Sequence, residues 1–245
     1  MNAKVCSQVR SFYSKRQGIS HRDQVDFIIT DDVFLKRMEL VQSERDRNLT
    51  LQQKAFLQSV NGNIVWGKTN ADKITVIIAS KVFQYDDFTW RGTIHHEYTH
   101  AHDFWDLADY LAISNMDDIY DYQYYAPFDW WTEYHARVAG SSNVYQHEYA
   151  HNSFASTINI CNIMFEHICK GLMQVSSVYD AMQWFGRYSS LKVMYPLAMP
   201  ALQTGNKKYG LPNSIIKVGE FLHSHREFAL VCDKLEEFQL LVNAV

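Results

Sequence analysis

Hydrophobic residues in the first third of the chain fall into short runs that are typical of β-strands. Such runs predict strands at Val25–Ile29, Asn63–Trp66 and Lys73–Ser80. Residues 33–60 instead have apolar positions at helical spacing, and they are predicted to be largely helical with a polar break at residues 46–48. The N-terminal third is therefore predicted to combine a small sheet with helices.

From Asp87 onward, apolar residues recur at the period of an α-helix. One helix is predicted from about Phe88 to Tyr110, with Asp86 or Asp87 as its N-cap, and a second is predicted to begin near Asp129. We expect an α+β fold in which a small, mostly antiparallel N-terminal sheet and a helix pair precede a largely helical C-terminal region.

The expected organisation is a core at residues 1–152 with a helical extension, residues 153–245, packed on it. A single continuous domain is the alternative, because no low-complexity linker separates the two parts. Within the core, Val5, Val9 and Phe12 have helical spacing and predict a short N-terminal helix.

The composition of the chain indicates which classes of partner and which cellular location to expect. The net charge is −4 and no segment is rich in Lys and Arg, so we expect neither nucleic acid nor a membrane as a partner. No apolar run approaches the roughly 20 residues of a membrane span, and the N-terminus has no apolar signal region. The four cysteines form no C-x-x-C pair and are predicted to be free thiols. A cytoplasmic protein is expected, with export by a route that needs no signal as the alternative.

The chemistry centres on the H-E-x-x-H motif His96-Glu97-Tyr98-Thr99-His100. Residues four apart lie on one face of a helix, about 5–6 Å between Cβ atoms, so both imidazoles can reach one ion. Glu97 lies about 100° further around the helix, beside such an ion. There it can accept a proton from metal-activated water and deliver it to the leaving group. His96 and His100 are therefore candidate metal ligands and Glu97 a candidate catalytic base.

The surroundings of the motif favour a metal site over a helix whose histidines only form hydrogen bonds. Random placement of the residues predicts about 0.02 occurrences of this pattern in the chain. Its flanking residues are uncharged, and the strand predicted to end at Ser80 is well placed to provide a sheet edge for an extended substrate.

A catalytic zinc takes three protein ligands, and Glu133 follows His100 by 33 residues (133 − 100 = 33). H-E-x-x-H followed by E-x-x-A-R, Glu133 to Arg137, resembles the gluzincin branch of zincin-type peptidases, especially minigluzincins and ImmA/IrrE-like peptidases. The resemblance covers about residues 73–140. It implies one Zn²⁺ held by His96, His100 and Glu133, with Glu97 as base and Ala136 allowing close helix packing. It also implies a metallopeptidase, a hydrolase acting on a protein or peptide.

Several assignments around this site stay open. Arg137 stands where larger gluzincins often have an aspartate that orients a ligand histidine, and Asp103 and Asp129 are candidates for that role or simply solvated carboxylates. His135 is the main rival third ligand, or it faces the cleft and stabilises the oxyanion. Other functions also remain: a zinc hydrolase of non-peptide amides, or a non-enzymatic helical interaction protein with a residual metal site.

A second H-E-x-x-H motif comprises His147, Glu148 and His151. If one helix continues from Glu133, His147 lies 14 residues further (147 − 133 = 14), about 21 Å along the axis, too far to share an ion. We expect a polar helix face there; a secondary metal site, or the catalytic motif itself, are the alternatives.

The connection Asn115–Trp131 joins the two helices that carry the candidate ligands, and it is rich in aspartate and aromatic residues. It is predicted to form a wall or lid of the substrate cleft that favours basic and apolar side chains. The alternative is that its aromatic rings only pack the junction between the helices.

Overall fold

The computed structural model describes residues 25–149 and 152–245, and the predicted α+β class is confirmed. The strands are β1 (Val25–Thr30), β2 (Gly62–Val65) and β3 (Ile74–Ala79). The helices are α1 (Val33–Leu40), α2 (Glu44–Gln52), α3 (Lys54–Leu57), α4 (Asp87–Tyr110), α5 (Tyr125–Tyr149), α6 (Phe154–Met173), α7 (Val178–Met194), α8 (Leu202–Tyr209), α9 (Asn213–Ser224), α10 (Phe228–Val231) and α11 (Leu235–Asn243). Short 3₁₀ turns occupy Ser80–Gln84, Met116–Asp121 and Cys232–Lys234. The helix predicted around Val5 lies outside the described residues.

The three strands form a mixed sheet in the order β1-β3-β2. β3 pairs in parallel with β1 and antiparallel with β2, so the expectation of a mostly antiparallel sheet is wrong. The reason is the connection through α1, α2 and α3, which returns the chain to the same end of the sheet. β2 and β3 can then pair as neighbours, while β1 occupies the opposite side of β3. Among the described strands, β2 is an edge strand.

The first helical break comes earlier than predicted. α1 ends at Leu40 and α2 begins at Glu44, with the Ser43 hydroxyl accepting a hydrogen bond from the Asp46 amide at 2.9 Å. Asp46 lies inside α2 because its buried carboxylate pairs with Arg37 of α1. A tertiary ion pair therefore places a polar residue within the helix, where sequence pattern predicts an interruption.

Helices α4 and α5 approach each other closely over small residues. A Cβ added at Gly140 would lie 2.7 Å from the carbonyl oxygen of Gly92. The predicted bounds of α4 are confirmed, and the Asp86 carboxylate accepts a hydrogen bond from the Thr89 amide at 2.8 Å. α5 begins at Tyr125, one turn before the predicted start, because the first turn of a helix tolerates Pro127.

The C-terminal helices continue the core that begins at the sheet. α7 packs along α5, where a Cβ added at Gly186 would lie 2.9 Å from the Tyr134 carbonyl oxygen. One hydrophobic cluster includes buried residues from β3, the α4–α5 pair and the helices that follow. The division at residue 152 stays a prediction. Among the described helices, none combines the length and the apolar character needed to cross a membrane.

Candidate metal centre

Three side chains of the two central helices converge on one point. The Nε2 atoms of His96 and His100 lie 3.2 Å apart on one face of α4. Glu133 of α5 spans both rings, with Oε1 3.4 Å from His96 Nε2 and Oε2 3.4 Å from His100 Nε2. Within the described part of the chain, this is the group whose ligand atoms are close enough together to hold one metal ion.

The spacing of the two imidazoles suits one zinc ion. Zinc ligands at about 2.0–2.2 Å from the ion lie about 3.3–3.6 Å apart in a tetrahedron; the two Nε2 atoms are 3.2 Å apart, and each has a different oxygen of Glu133 at 3.4 Å. Oε1 of Glu133 is buried and has no hydrogen-bond partner among the described residues. An unsatisfied buried carboxylate oxygen is costly, and a bound cation would satisfy it.

The charges of the three groups are strongly coupled. Burial would raise the pKa of Glu133, but the neighbouring His96 and His100 outweigh burial and hold it below the ordinary value. Burial lowers the pKa of His96 to about 4. Burial also acts to lower the pKa of His100, but its hydrogen bond to Glu133 outweighs that effect and raises the pKa to about 9. Without an ion, His100 is therefore protonated and Glu133 ionised near neutral pH.

His100 is oriented by a hydrogen-bonded chain that the sequence did not reveal. The Thr132 hydroxyl donates to Asp103 Oδ2 at 2.6 Å, and its oxygen lies 3.0 Å from His100 Nδ1. Because the hydroxyl proton is directed to Asp103, His100 Nδ1–H must donate to Thr132. Nε2 of the neutral ring then carries the lone pair that faces Glu133. Asp103 thus orients a candidate ligand, through Thr132, as polar groups around metal sites commonly do.

Glu97 is buried beside the three groups and packs across the backbone of β2. A Cβ added at Gly62 would lie 2.6 Å from Glu97 Cγ and 2.7 Å from Oε1, so only glycine leaves room for this carboxyl. Burial raises the pKa of Glu97 to about 7. The side chain can therefore both accept and release a proton near neutral pH.

A cleft of about 640 Å³ opens over these residues, a size typical of ligand sites. β2 forms one wall and α4 and α5 form the floor. Tyr179, at the start of α7, also lines it and was not identified from sequence, because nothing local links it to the motif. Tyr179 is 41% exposed, yet desolvation and then the charges of Glu133 and Glu97 raise the pKa of its hydroxyl, which stays protonated.

The structure separates the other candidates around the motif. His135 directs Nδ1 to Asp103 Oδ1 at 2.9 Å and stacks on Trp131, and it neither lines the cleft nor joins the three candidate ligands. Asp129 and Arg137 do line the cleft. Desolvation in the cleft raises the pKa of Asp129 to about 6.

The connection between the helices is divided between wall and packing. Tyr120 and Tyr125 line the cleft, which supports the predicted wall. Tyr122 and Tyr124 do not line it, and the pKa of Tyr124 is raised by desolvation and by its hydrogen bond to Glu236 near the C-terminus. Trp131 is fully buried and donates its indole N–H to the His225 carbonyl at 2.8 Å.

The second motif lies at the far end of α5. That helix runs unbroken to Tyr149, so His147 is 14 residues beyond Glu133 (147 − 133 = 14), about 21 Å along the axis. His147 and Glu148 are exposed, whereas His151 is outside the described residues. Neither exposed side chain lines the cleft.

No family model matches the chain, and no curated protein or solved structure is significantly similar to it. The resemblance to gluzincins therefore stays a prediction. It rests on the H-E-x-x-H motif at residues 96–100, on the E-x-x-A-R motif at residues 133–137 and on their arrangement.

Proposed function

We propose that the protein is a zinc-dependent metallopeptidase in which His96, His100 and Glu133 hold the ion. The observation that carries the proposal is the convergence of these three groups, with the two Nε2 atoms 3.2 Å apart and one oxygen of Glu133 3.4 Å from each, and with the Glu97 carboxyl buried beside them. A structural zinc site usually closes with four protein ligands. Three ligands and an adjacent carboxyl in an open cleft favour catalysis.

Zinc at this position would lower the pKa of a bound water and polarise the scissile carbonyl group. Glu97 accepts the proton of the attacking water and transfers it to the nitrogen of the leaving amine. Burial acts to raise its pKa, which favours release of the proton to the leaving amine, whereas the charge of a bound ion would favour the ionised form that accepts the proton first. Thr132 and Asp103 keep the His100 ring in the orientation that presents Nε2.

Tyr179 is the candidate donor to the carbonyl oxygen as it becomes negative. It lines the cleft, and its pKa, raised first by desolvation, keeps the hydroxyl protonated. A fixed O–H donor directed at developing negative charge is worth most inside a cleft that excludes water.

The edge strand favours a peptide over a small amide as substrate. Asn61, Gly62, Asn63 and Ile64 line the cleft, and β2 pairs with β3 on one side only among the described strands. The Ile64 carbonyl already accepts a hydrogen bond from Arg37, so the part of the edge around Gly62 is the part open to a substrate. An extended peptide can add to such an edge through main-chain hydrogen bonds.

We also propose a cytoplasmic location, because Cys161, Cys169 and Cys232 are free thiols, as in reducing compartments.

The proposal is tested by metal analysis and proteolysis on the same preparations. Purified protein should contain one zinc per chain by mass spectrometry and should cleave casein and randomised peptides. Glu97→Gln should keep zinc and lose activity by a factor of about 10²–10⁴, the usual contribution of a general base. Glu148→Gln, the matching change in the exposed second motif, should alter neither property.

Each alternative gives a different result. Zinc without cleavage of any peptide, but with hydrolysis of small acyl amides that Glu97→Gln abolishes, identifies an amide hydrolase. Zinc without hydrolysis of either substrate class identifies an interaction protein with a residual site. Full activity in Glu97→Gln contradicts the assigned base.

Tyr179→Phe should lower kcat about 10²–10³-fold with little change in KM, whereas Tyr85→Phe, outside the cleft, should have no effect.

A further inference from the structure

Two arginines line the cleft, and their surroundings differ. Arg37 is engaged by the Asp46 carboxylate, the Thr50 hydroxyl at 3.0 Å and the Asn63 side chain at 2.6 Å. Arg137 has no ion pair among the described residues, and its buried Nε atom has no hydrogen-bond partner there. Arg37 is thus a structural cation, whereas Arg137 has its charge available inside the cleft.

Arg137 is positioned next to the reacting groups. It follows Glu133 by four residues (137 − 133 = 4) and so lies one turn along the same face of α5. Its stem is held by α7, where a Cβ added at Gly186 would lie 2.5 Å from Arg137 Cβ and 2.7 Å from Cγ.

Neither carboxyl of the metal centre forms an ion pair with Arg137. Glu133 instead spans the two histidines of α4, and the Glu97 side chain packs against the backbone at Gly62. A partly buried guanidinium without a counter-ion destabilises a fold, since desolvation is not offset by pairing. A planar guanidinium with its stem fixed is also the group best suited to bind a carboxylate through two parallel hydrogen bonds.

We infer that Arg137 binds a carboxylate of the substrate, supplied by the C-terminus of a peptide or by an acidic side chain beside the scissile bond. The inference rests on the proposed peptidase function and adds a substrate class to it. It also replaces the sequence-based expectation of basic substrate side chains. Of the acidic residues in the segment Asn115–Trp131, Asp117 and Asp121 bond to Ser43 and Arg45 outside the cleft, and Asp129, in the first turns of α5, lines the cleft.

The first test compares matched peptides. Randomised hexapeptides are prepared with a free C-terminal carboxylate or an amide, and each series has Glu or Gln fixed at the third position. Mass spectrometry reports the cleavage site and kcat/KM. The zinc-loaded protein should prefer carboxylate over amide, or Glu over Gln, by at least tenfold, and the preferred series identifies the source. Equal rates in all four series would overturn the inference while leaving the peptidase function intact.

Variants assign the preference to Arg137. Arg137→Gln should abolish it, and Arg137→Lys should retain only part of it, because an ammonium group lacks the planar pair of donors. Arg187→Gln is the matched control: Arg187 lies on α7 over the Trp184 ring and does not line the cleft. Loss of the preference in Arg187→Gln to the same extent would overturn the inference in favour of a general effect of net charge.

A binding measurement remains decisive if no peptide is cleaved. Zinc-loaded protein is titrated calorimetrically with 3-phenylpropionate and with 3-phenylpropionamide. The preference for the carboxylate should fall at least tenfold in Arg137→Gln and stay unchanged in Arg187→Gln. Direct binding of the carboxylate to zinc is common to both variants, so an unchanged preference in Arg137→Gln overturns the inference. Thermal unfolding establishes that each variant is folded. If Arg137→Gln does not fold, the same comparison is made with Arg137→Lys alone.

Discussion

Gly62 provides the space in which the Glu97 carboxyl lies, since an added Cβ would approach Glu97 Cγ to 2.6 Å. This contact joins the edge strand β2 to the candidate base on α4. The sheet therefore does more than border the cleft: its backbone fixes the position of a side chain that the proposed chemistry requires.

Gly62→Ala should displace Glu97 without touching the three candidate ligands. We expect zinc content to stay at the wild-type level, proteolysis to fall at least tenfold, and the free energy of unfolding to fall by about 1–3 kcal/mol from overpacking. Metal analysis, peptide kinetics and denaturant unfolding measure these effects. In a Glu97→Ala background the same change should cost less stability, because its main clash is removed. Unchanged kinetics in Gly62→Ala would contradict this positioning of Glu97.

The choice between the two motifs can be decided by metal content. Glu133→Ala removes the group that spans both histidines and should lose zinc, whereas His147→Ala, on an exposed turn of the same helix, should keep it. Mass spectrometry of the purified variants measures both. Zinc retained in Glu133→Ala but lost in His135→Ala would establish the rival ligand, and loss in His147→Ala alone would place the metal at the second motif.

Removal of the Thr132 hydroxyl should weaken metal binding without removing a ligand. Thr132→Val breaks the chain from His100 to Asp103, and losses of orienting partners of this kind typically cost about 10–100-fold in metal affinity. Competition with a zinc chelator gives the dissociation constant. Thr99→Val is the control, because Thr99 is also buried, within the motif, but donates its hydroxyl to the His95 carbonyl. Equal affinity in both variants would contradict the orienting role.

Zinc uptake should release one proton near neutral pH. The pKa of His100, raised to about 9 because its bond to Glu133 outweighs burial, leaves the ring protonated at pH 7 without metal, and zinc binds only the neutral ring. His96, with a pKa lowered to about 4 by burial, is already neutral. We expect the affinity to rise with pH up to about pH 9. Calorimetry at about pH 8, where Glu97 is mostly ionised, in buffers of different ionisation enthalpy should count about one proton, from His100. Release of no proton would contradict the His100–Glu133 pair.

The same shift affects the stability of the protein without zinc. A raised histidine pKa means that the folded state binds the proton more tightly than the unfolded state. The stabilisation from His100 is therefore full below the ordinary pKa of 6.5 and is lost as pH rises through about 9. Thermal unfolding with a chelator present should follow this trend, and His100→Phe should flatten it.

Local periodicity determined much of this protein from sequence alone. The β-branched runs specified the three strands, and the spacing of His96 and His100 placed both rings on one face of α4, because a helix repeats every 3.6 residues. Glu133 was proposed through its E-x-x-A context, and the structure brings it to both rings.

Tertiary packing alone decided the surroundings of these groups. Sequence could not pair Gly62 with Glu97, link His100 through Thr132 to Asp103, or bring Tyr179 to the cleft. Each of these contacts joins separate secondary-structure elements, and no local repeat in the sequence relates one element to another. The mixed sheet and the place of Asp46 within α2 likewise depended on a long connection and a buried ion pair. The sequence thus specified the candidate ligands. The packing of α4, α5, α7 and β2 decided which groups orient these ligands, which groups pack against them, and which protonation states they adopt.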